Sequence, residues 1–332
     1  MTSLPSTSKA LRFSTLAGPL TIEDQDISTI QTPKTLLIKV HFASINPVDT
    51  QLWRAGIVSV VPGSKGMGRD FSGTIVAIGD QVKGNWSIGD EVFGLLFQAF
   101  GQGTFSQYIA VNPASDPVVK KPNCLSHEAA ASIPLVALTM FAALDWLPAA
   151  RMAKSLYDCH VTAICSSKNI EYVKSLGADE IIDYTSQPVL QTLINSKNTS
   201  TEYDLLIDCV GGTDLIPAYQ TLLHPHGAYT TIVGDKTDVK GLGGPVTFFK
   251  NPIQIWRYIS GYIWGPRYAV ISLYTKSEYL EKIVGLAERG EVQVEIQEVI
   301  KDALNEETEG WMRAIEIIES ARVRGKIVLE IL

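Results

Sequence analysis

Small polar residues follow one predicted strand directly, and their side chains could bind a phosphate. Ser166, Ser167, Lys168 and Asn169 come after the predicted strand 161–165 and supply two hydroxyls, an ammonium group and an amide. Such groups at the end of a strand are suited to bind an anion such as a phosphate. A serine-rich helix start is a second interpretation, compatible with the first, because serine also caps helices.

Glycines mark the carboxyl ends of two further predicted strands, 204–210 and 228–233. Open α/β sheets bind ligands outside the carboxyl ends of their parallel strands, so residues at these ends are candidate cofactor contacts. Glycines that only close a turn would look the same in the sequence. The candidates are Val210, Gly211, Gly212, Val233 and Gly234.

The spacing of cysteine and histidine does not indicate a metal centre. The four cysteines are scattered without a C-x-x-C pair, which suits neither a zinc site nor a disulfide framework and favours a reducing compartment. His224 and His226 are the one close pair of histidines, and no cysteine or acidic partner with suitable spacing accompanies them. No Ser/His/Asp or Cys/His constellation is visible either. We therefore predict no catalytic metal.

Composition and charge bound the class of protein. The chain has 332 residues, 45% of them hydrophobic and 19% charged, which suits a globular protein of two domains. Its net charge of −7 argues against binding to nucleic acid, because no basic stripe could neutralise phosphates. Residues 1–9 lack the apolar run of a secretory signal, so we expect a cytoplasmic protein, with a mitochondrial location left open.

The stretch Phe248–Tyr274 is rich in Trp, Tyr, Phe and Ile. Basic residues and prolines interrupt it, so it contains no window of the ~20 apolar residues that a membrane-spanning helix needs. We predict a helix in the core or at an interface, such as that of a homodimer. Contact with a membrane surface is the less favoured alternative.

The candidate residues lie within two regions of different predicted secondary structure. Before Ser126, short strands and glycine turns are typical of a β-barrel. After Ser126, strands and helices alternate, which indicates an α/β fold with a doubly wound parallel sheet. The predicted strands are 35–42, 73–78, 90–96, 105–111, 161–165, 180–183, 204–210, 228–233 and 326–332, and the predicted helices are 127–147, 169–176, 189–195, 215–223, 277–290 and 309–321. The last strand could return to the first domain.

Motifs in a specific order carry a resemblance to a known family. They are ASINPVD (43–49), GRDFSGTIVAIGDQV (68–82), GDEVFG (89–94), SLGADEIIDYT (175–185) and RGKIVL (324–329). Together they make the chain similar to the medium-chain dehydrogenase/reductase superfamily, in its zinc-free, quinone oxidoreductase-like (enoyl reductase-type) branch. The similarity spans nearly the whole chain.

The resemblance implies two domains and an activity. A GroES-like β-barrel domain is expected at 1–125, completed by about 290–332, and a Rossmann-like cofactor domain at 126–289. The activity implied is hydride transfer from NADPH to a quinone or an α,β-unsaturated carbonyl, in which the cofactor performs the chemistry and the protein orients it.

The resemblance also implies roles for single residues. The residue matching Asn46 lies near the nicotinamide in related reductases, although an asparagine that caps the turn before Pro47 is an equal alternative. Tyr184 matches a position that contacts the nucleotide, and Lys326 could reach the cofactor from the returning strand. The ligands of zinc-dependent relatives fall here at Ser44 or Asn46 and at Arg69–Asp70, which implies an enzyme without zinc.

One part of the family pattern is missing from the sequence. The family opens its cofactor domain with a strand, a glycine-rich loop and a helix that hold the pyrophosphate. Here Leu138–Pro148 resembles the helix before that strand, Met152–Tyr157 resembles the end of the helix after the loop, and no glycine occurs between Gly103 and Gly177. We predict that about twenty residues are absent, among them the central first strand and the cofactor's usual cradle.

Two origins of this gap stay open. The sequence could come from an exon-skipped or mis-spliced reading frame whose full-length parent is functional. Alternatively, the lineage abandoned NADPH and kept the scaffold. In the second case the chain would be a non-catalytic pseudoenzyme that binds a protein, a lipid or a membrane surface through its aromatic stretch, or an NADPH sensor without turnover.

Overall fold

The computed structural model describes residues 4–54, 62–98, 101–146, 159–199, 202–236, 251–271 and 275–332. These residues belong to two compact units. The first unit lies within Met1–Phe141 and Leu273–Leu332, and the second lies within Ala142–Thr237 and Gly243–Ser272. The limits 1–125 with 290–332, and 126–289, stay a prediction about the family's domains.

Fifteen strands occur in the described residues. In chain order they are β1 Thr7–Phe13, β2 Thr21–Asp26, β3 Leu36–Ile45, β4 Lys65–Gly66, β5 Asp70–Ile78, β6 Glu91–Leu95, β7 Tyr108–Val111, β8 Val118–Lys120, β9 Thr162–Cys165, β10 Glu180–Asp183, β11 Tyr203–Asp208, β12 Leu223–Thr231, β13 Arg267–Val270, β14 Ile296–Ile300 and β15 Lys326–Glu330. The helices are α1 Ile27–Ile30, α2 Pro47–Arg54, α3 His127–Ala131, α4 Pro134–Leu144, α5 Ile170–Ser175, α6 Val189–Thr199, α7 Tyr219–Leu222, α8 Pro252–Trp264, α9 Ser277–Glu288 and α10 Gly310–Glu319.

Strands dominate the first unit, as predicted. A seven-stranded sheet runs in the order β14-β15-β3-β5-β6-β8, with β7 paired to β3, and a three-stranded sheet runs β2-β1-β4. The central strand β3 is apolar and mostly buried. Strand β5 approaches it so closely that a Cβ at Gly73 would lie 2.2 Å from the Lys39 carbonyl oxygen, so only glycine fits there. Strand β15 pairs antiparallel with β3, which confirms the predicted return of the last strand.

Parallel strands form two separate sheets in the second unit. Strand β9 pairs with β10, and the other sheet has the order β11-β12-β13. All of these pairs are parallel, which confirms the predicted α/β architecture. Within the described ranges, no strand connects β9 to β11.

The break between β9 and β11 falls where the sequence predicts a missing strand. In the usual doubly wound order, the first strand of the domain lies between the second and the fourth, which correspond here to β9 and β11. Ile164 on β9 is 42% exposed and Ile207 on β11 is 39% exposed, whereas central parallel strands are normally buried on both faces. The predicted loss of the glycine loop, at Pro148–Met152, lies outside the described residues.

Several elements differ from their predictions. The predicted helix 127–147 is in fact two helices, because Pro134 has no N–H with which to continue α3. The predicted helix 215–223 contracts to α7, and β12 begins at Leu223 rather than at 228. Six strands were not predicted: β1, β2, β4, β8, β13 and β14. Strand β2 has the polar sequence TIEDQD, which carries no apolar alternation.

The aromatic stretch contains helix α8 and strand β13. The expectation that its helix lies in the core is wrong, because most large side chains of α8 are exposed. The interface alternative is untouched by this finding. None of the helices in the described ranges has the length and apolar character needed to cross a membrane.

Candidate functional site

Asn46 stands where strand β3 passes into helix α2. Its backbone is capped by Asp49, whose Oδ2 accepts a hydrogen bond from the Asn46 N–H at 2.8 Å, while the Asp49 N–H donates to the Asn46 carbonyl at 3.0 Å. This is one half of a capping box. The Asn46 side chain instead bonds to residues on two other strands.

Asp70, the first residue of β5, is the centre of this polar cluster. It is completely buried. Its Oδ2 accepts hydrogen bonds from Ser44 Oγ at 3.0 Å and from Asn46 Nδ2 at 2.8 Å, and its Oδ1 accepts one from the Leu135 N–H at 2.8 Å. A buried carboxylate requires such partners. Asp70 therefore fixes β3, β5 and the start of α4 around one point.

Lys326, the first residue of β15, supplies the positive charge of the cluster. Its Nζ lies 2.6 Å from Asn46 Oδ1 and 3.4 Å from Asp70 Oδ2. The Asn46 amide accordingly has one orientation, with its nitrogen toward Asp70 and its oxygen toward Lys326. The structure thus brings together two residues that separate motifs had singled out. The Lys326 side chain keeps 15% of its surface exposed, whereas Asp70 keeps none.

The donors at the positions of the family's zinc ligands do not suit zinc. Ser44 and Asn46 offer a hydroxyl and an amide, and Arg69 offers a cation that donates to the carbonyls of Gly66 and Gly68. Asp70 already has the Lys326 ammonium as its counter-ion. In the described part of the chain, no group of three His, Cys, Asp or Glu side chains could hold a metal ion. Independence from zinc stays a prediction.

Asp49 and Arg69 form a second buried group beside this cluster. Burial raises the pKa of Asp49 to about 7, against the opposing effects of Arg69 and of the Asn46 N–H. Burial also lowers the pKa of Arg69, which Asp49 partly offsets. Asp49 Oδ1 is buried and has no hydrogen-bond partner among the described residues. Asp49 was not predicted from the sequence, although an acidic residue three positions after Asn46 is a capping-box signal.

The predicted phosphate-binding residues begin the helical segment after β9. Ser166 and Asn169 occupy N-cap positions, but neither side chain caps the helix, so the capping interpretation is not supported there. Ser167 Oγ is 2.7 Å from both Asp183 Oδ2 and Thr185 Oγ1. Hydrogen bonds from Thr185 and Ser167 lower the pKa of Asp183 to about 2, so this carboxylate stays ionised.

Two exposed side chains remain available at this strand end. Lys168 lies in the short helical turn at 167–169, and Tyr184 follows β10 with 58% of its surface exposed. Ser167 is already engaged with a carboxylate. A phosphate bound here would therefore rely chiefly on Lys168 and Ser166.

The glycines after β11 and β12 are organised by two polar residues that the sequence analysis missed. Asp208 Oδ1 accepts hydrogen bonds from the N–H groups of Val210 and Gly211 at 2.9 and 2.8 Å. Thr231 Oγ1 accepts one from the Gly234 N–H at 2.9 Å and donates to Asp208 Oδ2 at 3.0 Å. A polar residue ending the apolar run DLLID is the signal that could have identified Asp208.

The described residues of the second unit suit one end of a dinucleotide better than its centre. Lys168, Ser166 and Tyr184 suit an adenosine with a 2′-phosphate. A diphosphate needs free backbone N–H groups at a glycine-rich turn before a helix. The N–H groups of Val210, Gly211 and Gly234 already have acceptors within the protein, and the described part of this unit contains no glycine-rich helix start. The described residues therefore do not fit a complete dinucleotide.

The predicted site residues divide between the two units. Asn46 and Lys326 lie in the first unit, together with the newly identified Asp49 and Asp70. The remaining predicted residues lie in the second unit: Ser166, Ser167, Lys168, Asn169, Tyr184, Val210, Gly211, Val233 and Gly234.

Two protein families match the chain. Residues 32–123 match the alcohol dehydrogenase GroES-like domain, and residues 176–329 match a family described as zinc-binding dehydrogenase. The first match contains Asn46 and Asp70, and the second contains Lys326. The predicted gap lies in the segment between the two matches.

Curated relatives are similar over most of the chain. The bovine (Bos taurus) NAD(P)H oxidoreductase RTN4IP1, mitochondrial, is 28% identical over 346 residues, covering 92% of this chain and 84% of the bovine protein. Protein YIM1 of Saccharomyces cerevisiae is 25% identical over 375 residues, covering 98% of each chain. Since this chain has only 332 residues, the yeast protein has segments without a counterpart here.

Solved structures are similar in fold. The quinone oxidoreductase from Coxiella burnetii has a TM-score of 0.72 at 24% identity and covers 98% of this chain and 100% of its own. The CurK enoyl reductase has a TM-score of 0.71 at 19% identity and covers 97% of this chain and 99% of its own. At these identities the similarity shows the fold.

Proposed function

We propose an activity for this chain from its membership of the medium-chain dehydrogenase/reductase superfamily, to whose quinone oxidoreductase-like branch it belongs. The chain is an oxidoreductase that uses NADPH, without zinc, to reduce a quinone or an α,β-unsaturated carbonyl. The chain holds the cofactor weakly, because the described part of the second unit provides no cradle for the diphosphate.

The observation that carries this proposal is the contact of Lys326 with Asn46 and Asp70. Reduction of a quinone or an enone places negative charge on the substrate oxygen. A fixed positive charge at that oxygen lowers the activation barrier of hydride transfer, because the charge is already in place before the reaction begins. The Lys326 ammonium, 2.6 Å from Asn46 Oδ1, provides such a charge.

Each residue of the cluster has a separate role in this proposal. NADPH supplies the hydride when it is bound. Lys326 stabilises the substrate oxygen and donates a proton to it. Asp70 keeps the ammonium in place from its buried position, and the Asn46 amide, fixed by both neighbours, positions the reacting groups.

The preference for NADPH is supported by the residues after β9. An NADH site carries an acidic residue at this strand end, and Ser166 occupies that place here. Lys168 adds a cation for the 2′-phosphate. The nearby Asp183 carboxylate is directed at Ser167 and Thr185, which leaves Lys168 as the main determinant of this preference.

Oxidation of NADPH in the presence of a simple quinone tests the proposal. At millimolar NADPH we expect slow turnover, and Lys326→Met should lower kcat/KM by about 10²-fold, whereas Lys326→Arg keeps part of the activity. The matched control is Lys301→Met, on an exposed turn away from the cluster, which should leave the rate unchanged. An unchanged rate in Lys326→Met would remove the proposed role of this lysine.

A non-catalytic protein is the second candidate, and the split sheet favours it. Without the strand between β9 and β11, the second unit could have become a scaffold only. A thermal-shift titration separates the candidates, because a ligand that binds the folded state raises its apparent stability. No shift at millimolar NADPH favours the scaffold, and a shift without consumption of any quinone or enone favours a sensor.

A further inference from the structure

Helix α8 exposes large apolar side chains around most of its circumference. Eight of them are exposed: Ile253, Ile255, Trp256, Tyr258, Ile259, Tyr262, Ile263 and Trp264. Four of these side chains are exposed by 59% or more, namely Trp256, Tyr262, Ile263 and Trp264. Single exposed hydrophobic residues are ordinary, but a contiguous apolar patch of this kind marks a surface that contacts a partner.

The opposite side of α8 is firmly attached to the second unit. Gln254 and Gly261, seven positions apart and hence on one face, are buried. A Cβ at Gly261 would lie 2.9 Å from backbone atoms of Pro266 and Tyr268, so the helix packs directly against β13. Arg257 reinforces this attachment through an ion pair with Asp235 at 2.7 Å. The attachment fixes which face of the helix points outward.

The outward face is built around Ile255, Ile259 and Ile263, which follow one another at intervals of four. Trp256 lies on the same side, with Tyr262 and Trp264 at its margins. Isoleucine suits the acyl region of a bilayer, and the amphipathic rings of tryptophan and tyrosine suit the headgroup region. Phenol and indole groups are the only polar groups among the eight exposed side chains. A protein interface usually adds a polar rim with many hydrogen bonds.

The charge around α8 differs from that of the rest of the chain. Residues 239–277 contain no Asp or Glu and carry five Lys and Arg, in a chain whose net charge is −7. Arg257 is one of the five and is neutralised by Asp235, which leaves four basic residues. Anionic lipid headgroups attract a basic stretch that contains no acidic residue. They do not attract the remainder of the protein, because it is net negative. A second copy of the chain would instead bring one basic stretch against another.

We propose that the outward face of α8 docks on the surface of an anionic lipid bilayer, with the helix lying in the plane of the headgroups. The attached face keeps the second unit above the membrane. This proposal is independent of the activity proposed above, because it uses neither the Asn46–Lys326 cluster nor bound NADPH.

Co-sedimentation of the full chain with lipid vesicles tests the proposal. The chain should bind vesicles of phosphatidylcholine with phosphatidylglycerol more tightly than vesicles of phosphatidylcholine alone, and added salt should weaken the binding. The double variant Trp256→Ser/Trp264→Ser should weaken binding by about tenfold or more. The matched control is Phe97→Ser, an exposed apolar residue of the first unit, which should bind as the original chain does.

A fluorescence measurement keeps the test valid if the double serine variant fails to fold. Tryptophan emission should shift to shorter wavelength when phosphatidylglycerol vesicles are added. The variant Trp256→Phe/Trp264→Phe keeps an aromatic ring at each position but removes the two indoles, so it should abolish the shift. Absence of vesicle binding by the original chain would overturn the proposal, as would equal losses in the Phe97→Ser control. So would a dimer in ultracentrifugation that the double variant dissociates, because a second copy would then cover the face.

Discussion

The central strands of the two units differ in what surrounds them. In the first unit, β3 has strands on both sides and most of its side chains are buried. In the second unit, β9 and β11 end two separate sheets, and no residue of either strand is fully buried. Among the described residues, the break in the sheet therefore lies in the second unit, whereas the polar cluster of the first unit has all its members in contact.

The two units also differ in their polar centres, Asp70 in the first unit and Asp208 in the second. Asp70 is buried and gathers donors from three elements around a cation that is partly open to the outside. Asp208 accepts hydrogen bonds from the N–H groups of Val210 and Gly211, which therefore already have an acceptor within the protein. The first centre includes a partly exposed cation, whereas the second binds its own backbone.

The largest expected effect is that of removing Asp70. Asp70→Ala leaves the Lys326 ammonium without its counter-ion, and Ser44 and Asn46 without their acceptor. We expect the first unit to lose about 3 kcal/mol of stability, as when one partner of a buried ion pair is removed. Hydrogen exchange of peptides from β3, β5 and β15 would measure it. A loss below about 1 kcal/mol would show that the cluster is hydrated and not organised by Asp70.

A matched pair of core substitutions compares the two sheets directly. Ile75 on β5 is fully buried and Ile207 on β11 is 39% exposed. Ile75→Ala should cost about 3 kcal/mol, because it leaves a cavity, and Ile207→Ala should cost about 1 kcal/mol or less. Local hydrogen exchange in each unit gives both values. Equal costs would mean that β11 is as well packed as β5, which would contradict the split sheet.

The smallest effect concerns the pH dependence of the first unit. The pKa of Asp49 is raised to about 7 in the folded protein, so the folded state binds more protons than the unfolded state between its ordinary value and pH 7. Stability should therefore fall as the pH rises through this range. Asp49→Asn should remove the fall, making the variant about 1–3 kcal/mol more stable at pH 8 and no different at pH 4.

Urea unfolding at a series of pH values measures this effect. The variant Asn can still accept a hydrogen bond from the Asn46 N–H, which isolates the contribution of the charge. Parallel pH profiles for the original chain and Asp49→Asn would mean that Asp49 does not titrate in this range.

The sequence allowed prediction of those features that depend on local pattern. Apolar runs predicted β3, β5 and four of the five parallel strands of the second unit, all except β13. The absence of glycine between Gly103 and Gly177 predicted a break beside β9. Strand β2 escaped prediction because its residues are polar and mostly exposed. Its position depends on pairing with β1, which lies elsewhere in the chain.

Two residues of the candidate site were predicted from the sequence, but their arrangement in space was not. Asn46 and Lys326 were named from separate motifs, but 280 positions separate them, and only the pairing of β15 with β3 brings them into contact. Asp49 and Asp208 were missed because their roles arise from burial and from backbone groups, which single-residue patterns do not record. The exposure of α8 was likewise decided by tertiary packing, since an apolar sequence alone suits a core equally well.

A side-by-side calorimetric titration of NADPH and adenosine 2′-monophosphate tests the contrast between the units most directly. If the second unit binds the adenosine end as proposed, and its described residues are all that could meet the diphosphate, the two ligands should bind with dissociation constants within about tenfold of each other. Binding of NADPH about 10³-fold more tightly than the monophosphate would show that another backbone segment holds the diphosphate, and would contradict the claim that this chain has lost its cofactor cradle.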